Sequence, residues 1–336
     1  MYNWYVRFLY LALGMVLCVI VLGAWVRLTD AGLGCPDWPG CYGYIVLPGD
    51  EVTRAEAQIE FPERPLDAGK AWREMIHRYI AAGLGFVIIL IAGLAWANRE
   101  QFGQPVVLPI VLLGVVILQG LLGMLTVTLL LKPLIVMGHL LGGLTTAAIL
   151  FWLILEHRRR KRVDATPRRM AYVPAVAALA VLVGQIALGG WTSSNYAALA
   201  CPDLPTCNGE WWPSRADFAE GFVMWRGLGV DYEFGILEAP ARVAIHYVHR
   251  LGAMVAATVI GLVAFFAWRR REDDVRRSGL LVLLALGAQI SLGISVVWFG
   301  LPLTLAVLHN GVAALLLLSV LNLNHATALA RSRATA

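Results

Sequence analysis

Charge is what this chain lacks. Asp, Glu, Lys and Arg make up 15% of its residues and hydrophobic types 59%, a balance that ordinary soluble domains rarely reach. No C-x-x-C pair occurs among its 5 cysteines, which argues against a thiol-oxidase motif. No small-residue cleavage site follows the first apolar run, so that run reads as a retained helix and not as a signal peptide.

What fills the chain instead is apolar runs of about 20 residues or more, the length that crosses a hydrocarbon core of roughly 30 Å. Eight such runs lie at about 7–27, 75–97, 106–130, 134–155, 171–192, 242–267, 278–298 and 302–323. The expected fold is therefore an all-α membrane protein with eight transmembrane helices. The net charge of +5 does not point to nucleic acid, because of where it sits. Arg158, Arg159, Arg160, Lys161, Arg162, Arg168 and Arg169 share loop 156–170, and loop 268–277 holds Arg269, Arg270, Arg271, Arg276 and Arg277. Arg7, Arg99, Arg331 and Arg333 fall on the same side, whereas the opposite loops are acidic, with Asp37, Asp50, Glu51 and Glu56 in one and Asp217, Glu220, Asp231 and Glu233 in the other. An excess of Lys and Arg marks cytoplasmic loops, so both termini are expected inside.

The chain repeats itself. LGCPDWPGCYG after the first run answers LACPDLPTCNG after the fifth, both containing C-P-D-x-P-x-C at an offset of 166 residues. Glu74-Met-Ile-His77-Arg78 answers His246-Tyr-Val-His249-Arg250 at 172. Gln119 answers Gln289, and His139 answers His309, both at 170. Matches in one order at nearly constant spacing make residues 1–155 and 171–336 two pseudo-symmetric four-helix bundles, joined by a cytoplasmic linker at 156–170. Gly114, Gly120, Gly123, Gly142, Gly143, Gly287 and Gly293 would let helix backbones, or a flat ligand, approach closely.

Ionisable residues inside a bilayer are rare and usually functional. His77, His139, His249 and His309 stand at repeat-matched places, each near the outer start of its helix. Two imidazoles at one depth on parallel helices can clamp one heme iron from both sides. The plainer alternative is buried histidines that hydrogen-bond their neighbours. Zinc would need further ligands at the same depth, and Glu74 is the one on offer. Arg78 and Arg250 follow the ligand positions and could pair with heme propionates, or could simply snorkel to the interface. His157 and His325 have no partner in register and read as surface residues, while His246 lies one turn outside His249. The repeat breaks where Glu74 faces His246 across the alignment: one half has a carboxylate above its histidine, the other has not. A carboxylate at a membrane boundary can exchange protons in a reaction, and it also suits a helix N-terminus. Cys35/Cys41 and Cys201/Cys207 lie in the two outer loops and can bridge within each loop, in keeping with an oxidising compartment; a structural brace and a redox relay are both compatible with that spacing. Cys18 reads as a small core residue.

Taken together, RLTDAGLGCPDWPGCYG at 27–43, EMIHR at 74–78, GH at 138–139, CPDLPTC at 201–207, AIHYVHRLGA at 244–253 and LHNG at 308–311 resemble the heme A synthase family over essentially the whole chain. The resemblance implies an oxidoreductase of a bacterial inner membrane, with its heme sites toward the periplasm, that oxidises the C8 methyl group of heme O to the formyl group of heme A, for use by cytochrome c oxidase. Oxidation would pass through an alcohol to a geminal diol that loses water. By the same resemblance His77 and His139 bind the substrate or product heme, His249 and His309 bind a heme b cofactor, Glu74 is the functional glutamate, and Cys35–Cys41 and Cys201–Cys207 are disulfides. Expected partners are membrane lipid, heme O synthase as the donor of a poorly soluble heme, and an electron-transfer partner, with homo-oligomerisation left open. Two other uses of four such histidines are a b-type cytochrome, for example quinol-linked, and a heme carrier without chemistry.

Overall fold

The computed structural model describes residues 2–47, 49–101, 104–161 and 173–333. Arg162, Arg168 and Arg169 of the expected linker lie outside these, as do the side chains of Arg331 and Arg333. Among the described residues there are ten helices and no strand: α1 Tyr2–Leu28, α2 Glu51–Glu60, α3 Ala68–Ala97, α4 Val107–Thr128, α5 Pro133–Lys161, α6 Val173–Ser194, α7 Phe218–Gly221, α8 Ala239–Trp268, α9 Asp273–Trp298 and α10 Leu303–Arg333. Eight of them are long and apolar enough to cross a membrane, and they coincide with the eight apolar runs. In lipid every backbone N–H and C=O must be paired within its own segment, which a helix achieves. The short α2 and α7 sit in the cysteine-bearing loops and start on aspartate caps. Asp50 accepts from the Thr53 N–H and Asp217 from the Glu220 N–H, satisfying donors that a helix start leaves open.

Burial follows helical spacing. On α1, Tyr5, Leu9, Ala12 and Val16 form a buried stripe that joins Leu84, Ile88, Ile91 and Ala95 of α3 in the main core. Cys18, expected in the core, is instead exposed, because it falls off that stripe. Large apolar side chains such as Phe86, Ile89, Ile117, Phe266 and Leu284 are also exposed. On a soluble protein they would form an adhesive surface, but on a membrane helix they are what faces acyl chains. The protein is a multi-pass membrane protein.

α1 packs on α3 and α5, with α4 touching both α3 and α5; α6 packs on α8 and α10, with α9 touching both α8 and α10. Contacts of α1 with α10, α5 with α6 and α5 with α10 join the two sets. At the cysteine-loop end, Arg64 bridges to Asp231 and Glu233 at 2.6 Å each. The Lys132 ammonium is buried, donates to the Gly227 carbonyl at 2.6 Å and lies 3.5 Å from the Trp225 ring centre. Arg27 donates to the Ser193 carbonyl at 2.5 Å, and the Tyr196 hydroxyl bonds Asp30 at 3.1 Å; both contacts join residues 166 apart. At the other end His157 and His325, expected on the surface, are buried. α5 and α10 continue past their apolar runs and pack together there, so His325 reaches Glu156 at 3.2 Å and stands edge-on to Trp152.

Candidate functional site

Each cysteine loop is a small, self-braced unit. Cys35–Cys41 and Cys201–Cys207 are disulfides, with Cα atoms 4.8 and 4.6 Å apart. The second cysteine of each pair opens a two-residue turn, closed by bridges Cys41 to Tyr44 and Cys207 to Glu210. Both central residues have positive φ, at Tyr42 and Gly43 and at Asn208 and Gly209, as a type I′ turn requires. The aspartate of C-P-D-x-P-x-C is the brace. Asp37 accepts from the Tyr42 N–H at 2.6 Å and the Gly43 N–H at 3.0 Å, and Asp203 accepts from Asn208 and Gly209 at the same two distances. Asp203 also accepts from the Thr206 hydroxyl.

The helix that follows each loop holds it by two side chains. Glu74 of α3 is only 5% exposed; its Oε2 accepts from the Cys35 N–H at 2.9 Å and its Oε1 pairs with Arg78 at 2.5 Å. In α8, His246 is 3% exposed, accepts from the Cys201 N–H on Nδ1 at 3.1 Å and lies 3.3 Å from the Arg250 Nε. Glu74 and His246 thus occupy one structural position, as their alignment predicted, with a carboxylate in one half and an imidazole in the other. The arginines reach back into the loops. Arg78 donates to the carbonyls of Asp37 and Gly40 at 3.1 and 2.5 Å, and Arg250 to those of Asp203, Thr206 and Cys201 at 2.7, 2.8 and 2.5 Å. Sequence reasoning considered propionates and water for these guanidiniums and overlooked the loop carbonyls.

One turn further along each helix stand the histidines. His77 and His139 face each other with ring centroids 6.4 Å apart and planes at 75°. Two imidazoles on opposite sides of one metal ion, each bonded at about 2.0 Å, have centroids roughly 6.3 Å apart. The Nδ1 atoms of His77, His139 and His309 are buried and make no hydrogen bond of normal geometry, although a backbone carbonyl, of Val19, Gln119 and Gln289 respectively, lies near each ring. Each of the four rings also lies against a glycine of a neighbouring helix. A Cβ on Gly23, Gly123, Gly189 or Gly293 would stand 3.1, 3.4, 3.3 or 3.1 Å from the Cε1 of His77, His139, His249 or His309 respectively. Gly123 and Gly293 were among the glycines singled out in the sequence. Gly23 and Gly189 were overlooked, although they match at the loop offset of 166. Gln289 lies 3.2 Å from His309 Nε2 and Gln185 3.1 Å from His249 Nδ1; of these, Gln185 too had carried no signal.

Among the described residues no three His, Cys, Asp or Glu side chains cluster as a metal site. A structural zinc ion needs four protein ligands and a catalytic one usually three. Paired imidazoles without a third ligand suit an iron whose remaining positions are filled by a macrocycle.

Residues 6–321 match the family described as cytochrome oxidase assembly protein. The chain is 44% identical over 328 residues to the heme A synthase of Shewanella oneidensis, covering 96% of each protein. It is 30% identical over 350 residues to the heme A synthase of Rhizorhabdus wittichii, covering 96% of this chain and 92% of that one. It is 27% identical over 315 residues to the heme A synthase of Halalkalibacterium halodurans, covering 91% and 90%. With nearly the whole length matched and the paired histidines, glycines and cysteine loops lying along it, this chain belongs to the heme A synthase family.

Proposed function

We propose that the protein is an oxidoreductase that converts the C8 methyl group of heme O to the formyl group of heme A, with the first half as the reaction site. The observation that carries this reading is the asymmetry between two otherwise matched histidine pairs: a buried carboxylate, Glu74, stands one turn from His77, and His246 stands in its place beside His249. His77 and His139 would hold the substrate heme, and His249 and His309 a heme b cofactor. The cofactor would supply one-electron redox chemistry. Glu74 would accept or donate a proton beside the reacting heme, held in place by the Cys35 N–H and Arg78. Arg78 and Arg250 would meet propionates at the loop boundary with whatever donor capacity the loop carbonyls leave. The disulfide loops would cover both sites from the periplasmic side of an inner membrane, with both termini in the cytoplasm, in keeping with the arginine distribution. Residues 1–155 and 171–336 would be the two functional halves. A heme O synthase in the same membrane is the natural donor, because an apolar heme passes poorly through water, and an electron-transfer partner completes the cycle.

The test is pigment extraction with mass analysis from purified protein in cells that make heme O. Wild type should yield heme A and heme b. His77→Ala/His139→Ala should lose heme O and heme A but keep heme b, and His249→Ala/His309→Ala should lose heme b and hold heme O without converting it to heme A. Heme b alone in wild type would point to a b-type cytochrome or a carrier and overturn the reading.

A further inference from the structure

The two outer loops are not equally long. Between the cysteines and the matched Glu74 and His246 the repeat offset rises from 166 to 172, so the second loop carries six extra residues. The longer loop crosses to the other half. At one side of the crossing, the Gly227 carbonyl accepts from the buried Lys132 ammonium at 2.6 Å, and the Trp225 ring centre lies 3.5 Å from it. The Tyr232 N–H donates to the Leu130 carbonyl at 3.0 Å. The buried Tyr232 side chain packs with Leu33, Val127 and Leu131, and Val230 and Val136 lie alongside. At the other side Asp231 and Glu233 hold Arg64. Glu233 also lies 3.6 Å from the Lys70 ammonium, and the Phe234 ring centre is 5.3 Å from that same ammonium. Phe234 has a φ of +64°, an outlier for a bulky side chain that persists only where the surroundings enforce it.

The anchor points bear on the histidines. Lys70 stands seven residues before His77 in α3, and Lys132 seven before His139. The Lys132 carbonyl accepts from the Val136 N–H at 3.0 Å, so this lysine opens α5. Seven residues are about two turns, which puts each anchor roughly 10 Å outward of a facing imidazole. The strap thus joins the outer ends of the two helices that carry the first histidine pair. The matched surface of the second half is more open. Leu199 is 40% exposed where its counterpart Leu33 is 6% exposed, and Pro302 stands at the place of Lys132.

We propose that residues 225–236 are a positioning clamp for the first site: by fixing the outer ends of α3 and α5 relative to each other, a loop of the second half sets the separation at which His77 and His139 face one heme iron. The proposal rests on the assignment of that pair to a heme and extends it, because residues that tune the first site then belong to the half that holds the other pair. A ligand constellation works only within about 0.5 Å of its productive geometry. A stiff helix carries a shift at its outer end to an imidazole two turns on. Loss of the groups that orient a metal ligand typically costs 10- to 100-fold in affinity or activity.

The experiment uses full-length protein in two backgrounds. His249→Ala/His309→Ala, loaded with heme O, leaves only the first site, and His77→Ala/His139→Ala, loaded with heme b, leaves only the second. Heme release to a soluble scavenger and the low-spin absorption spectrum are recorded in detergent. Lys132→Met frees the strap from α5, and Asp231→Asn/Glu233→Gln frees it from Arg64 and Lys70. Each is expected to speed release from the first site about tenfold, to alter the spectrum there, and to leave the second site as it was. Asp231→Glu/Glu233→Asp, which keeps both charges, is expected to retain slow release. Unchanged release from the first site, or equal acceleration at both sites, overturns the clamp. If a variant lacking all four histidines still binds heme O in a low-spin form, the assignment of the first pair to a heme is what fails.

Discussion

At the scale of single residues, Glu74 carries the most. Its carboxylate is tied to a backbone N–H and a guanidinium, so it is a structural element as well as a proposed proton carrier, and two substitutions separate these roles. Glu74→Ala should keep both hemes and lose heme A formation by 100-fold or more, the scale of general acid–base catalysis; full turnover in that variant would leave only the structural role. Arg78→Ala strands a buried carboxylate and should destabilise the protein by about 3 kcal/mol, read as a drop in thermal midpoint in detergent. The opposition of Glu74 and His246 was legible in the sequence because both lie three residues before an aligned histidine. That each hangs from a cysteine N–H was not, since the contact spans 39 residues in the first half and 45 in the second and exists only once the loop folds back.

At the scale of helices and loops, long apolar runs gave the eight spans, although α3 begins seven residues before its run, and α5 and α10 end six and ten residues past theirs. α2 and α7 escaped because they are only ten and four residues long and lie in polar loops between the apolar runs. Gly23 and Gly189 escaped for another reason: a glycine backing an imidazole looks like any other glycine in an apolar helix until the ring is placed beside it. Gly23→Ala should lower heme occupancy of the first histidine pair alone, and Gly189→Ala that of the second alone, each roughly tenfold, as expected when ligand orientation is disturbed; heme content resolved by type measures it. The loop aspartates make a separate prediction. The Thr206 hydroxyl above all, then the Gly209 and Asn208 N–H groups, hold Asp203 well below its ordinary 3.8, at about 2. A carboxyl whose value is lowered by folding contributes fully above about pH 4, and the contribution is lost as pH falls through the folded value. Amide exchange at Asn208 and Gly209 should therefore quicken, relative to other loop amides, between about pH 4 and pH 2, and Asp203→Asn should abolish that pH dependence.

At the scale of the whole molecule, sidedness can be read directly. In a Cys18→Ser background, a cysteine at Trp211, in the second disulfide loop, should react with a membrane-impermeant thiol reagent added to intact spheroplasts. One at Arg270, in the basic loop, should react only after permeabilisation. The opposite pattern would invert the orientation taken from the arginines. Arg27 with Ser193 and Asp30 with Tyr196 concern a longer history. Each is a position touching its own counterpart 166 residues on, which is the contact two identical chains make where a two-fold axis passes between them. Had a half-length ancestor paired with itself there, one codon would have written both sides of the contact, and every change would have been felt twice. In a fused chain the two sides are separate genetic positions. Arginine now faces serine, and aspartate faces tyrosine, combinations no self-paired ancestor could encode.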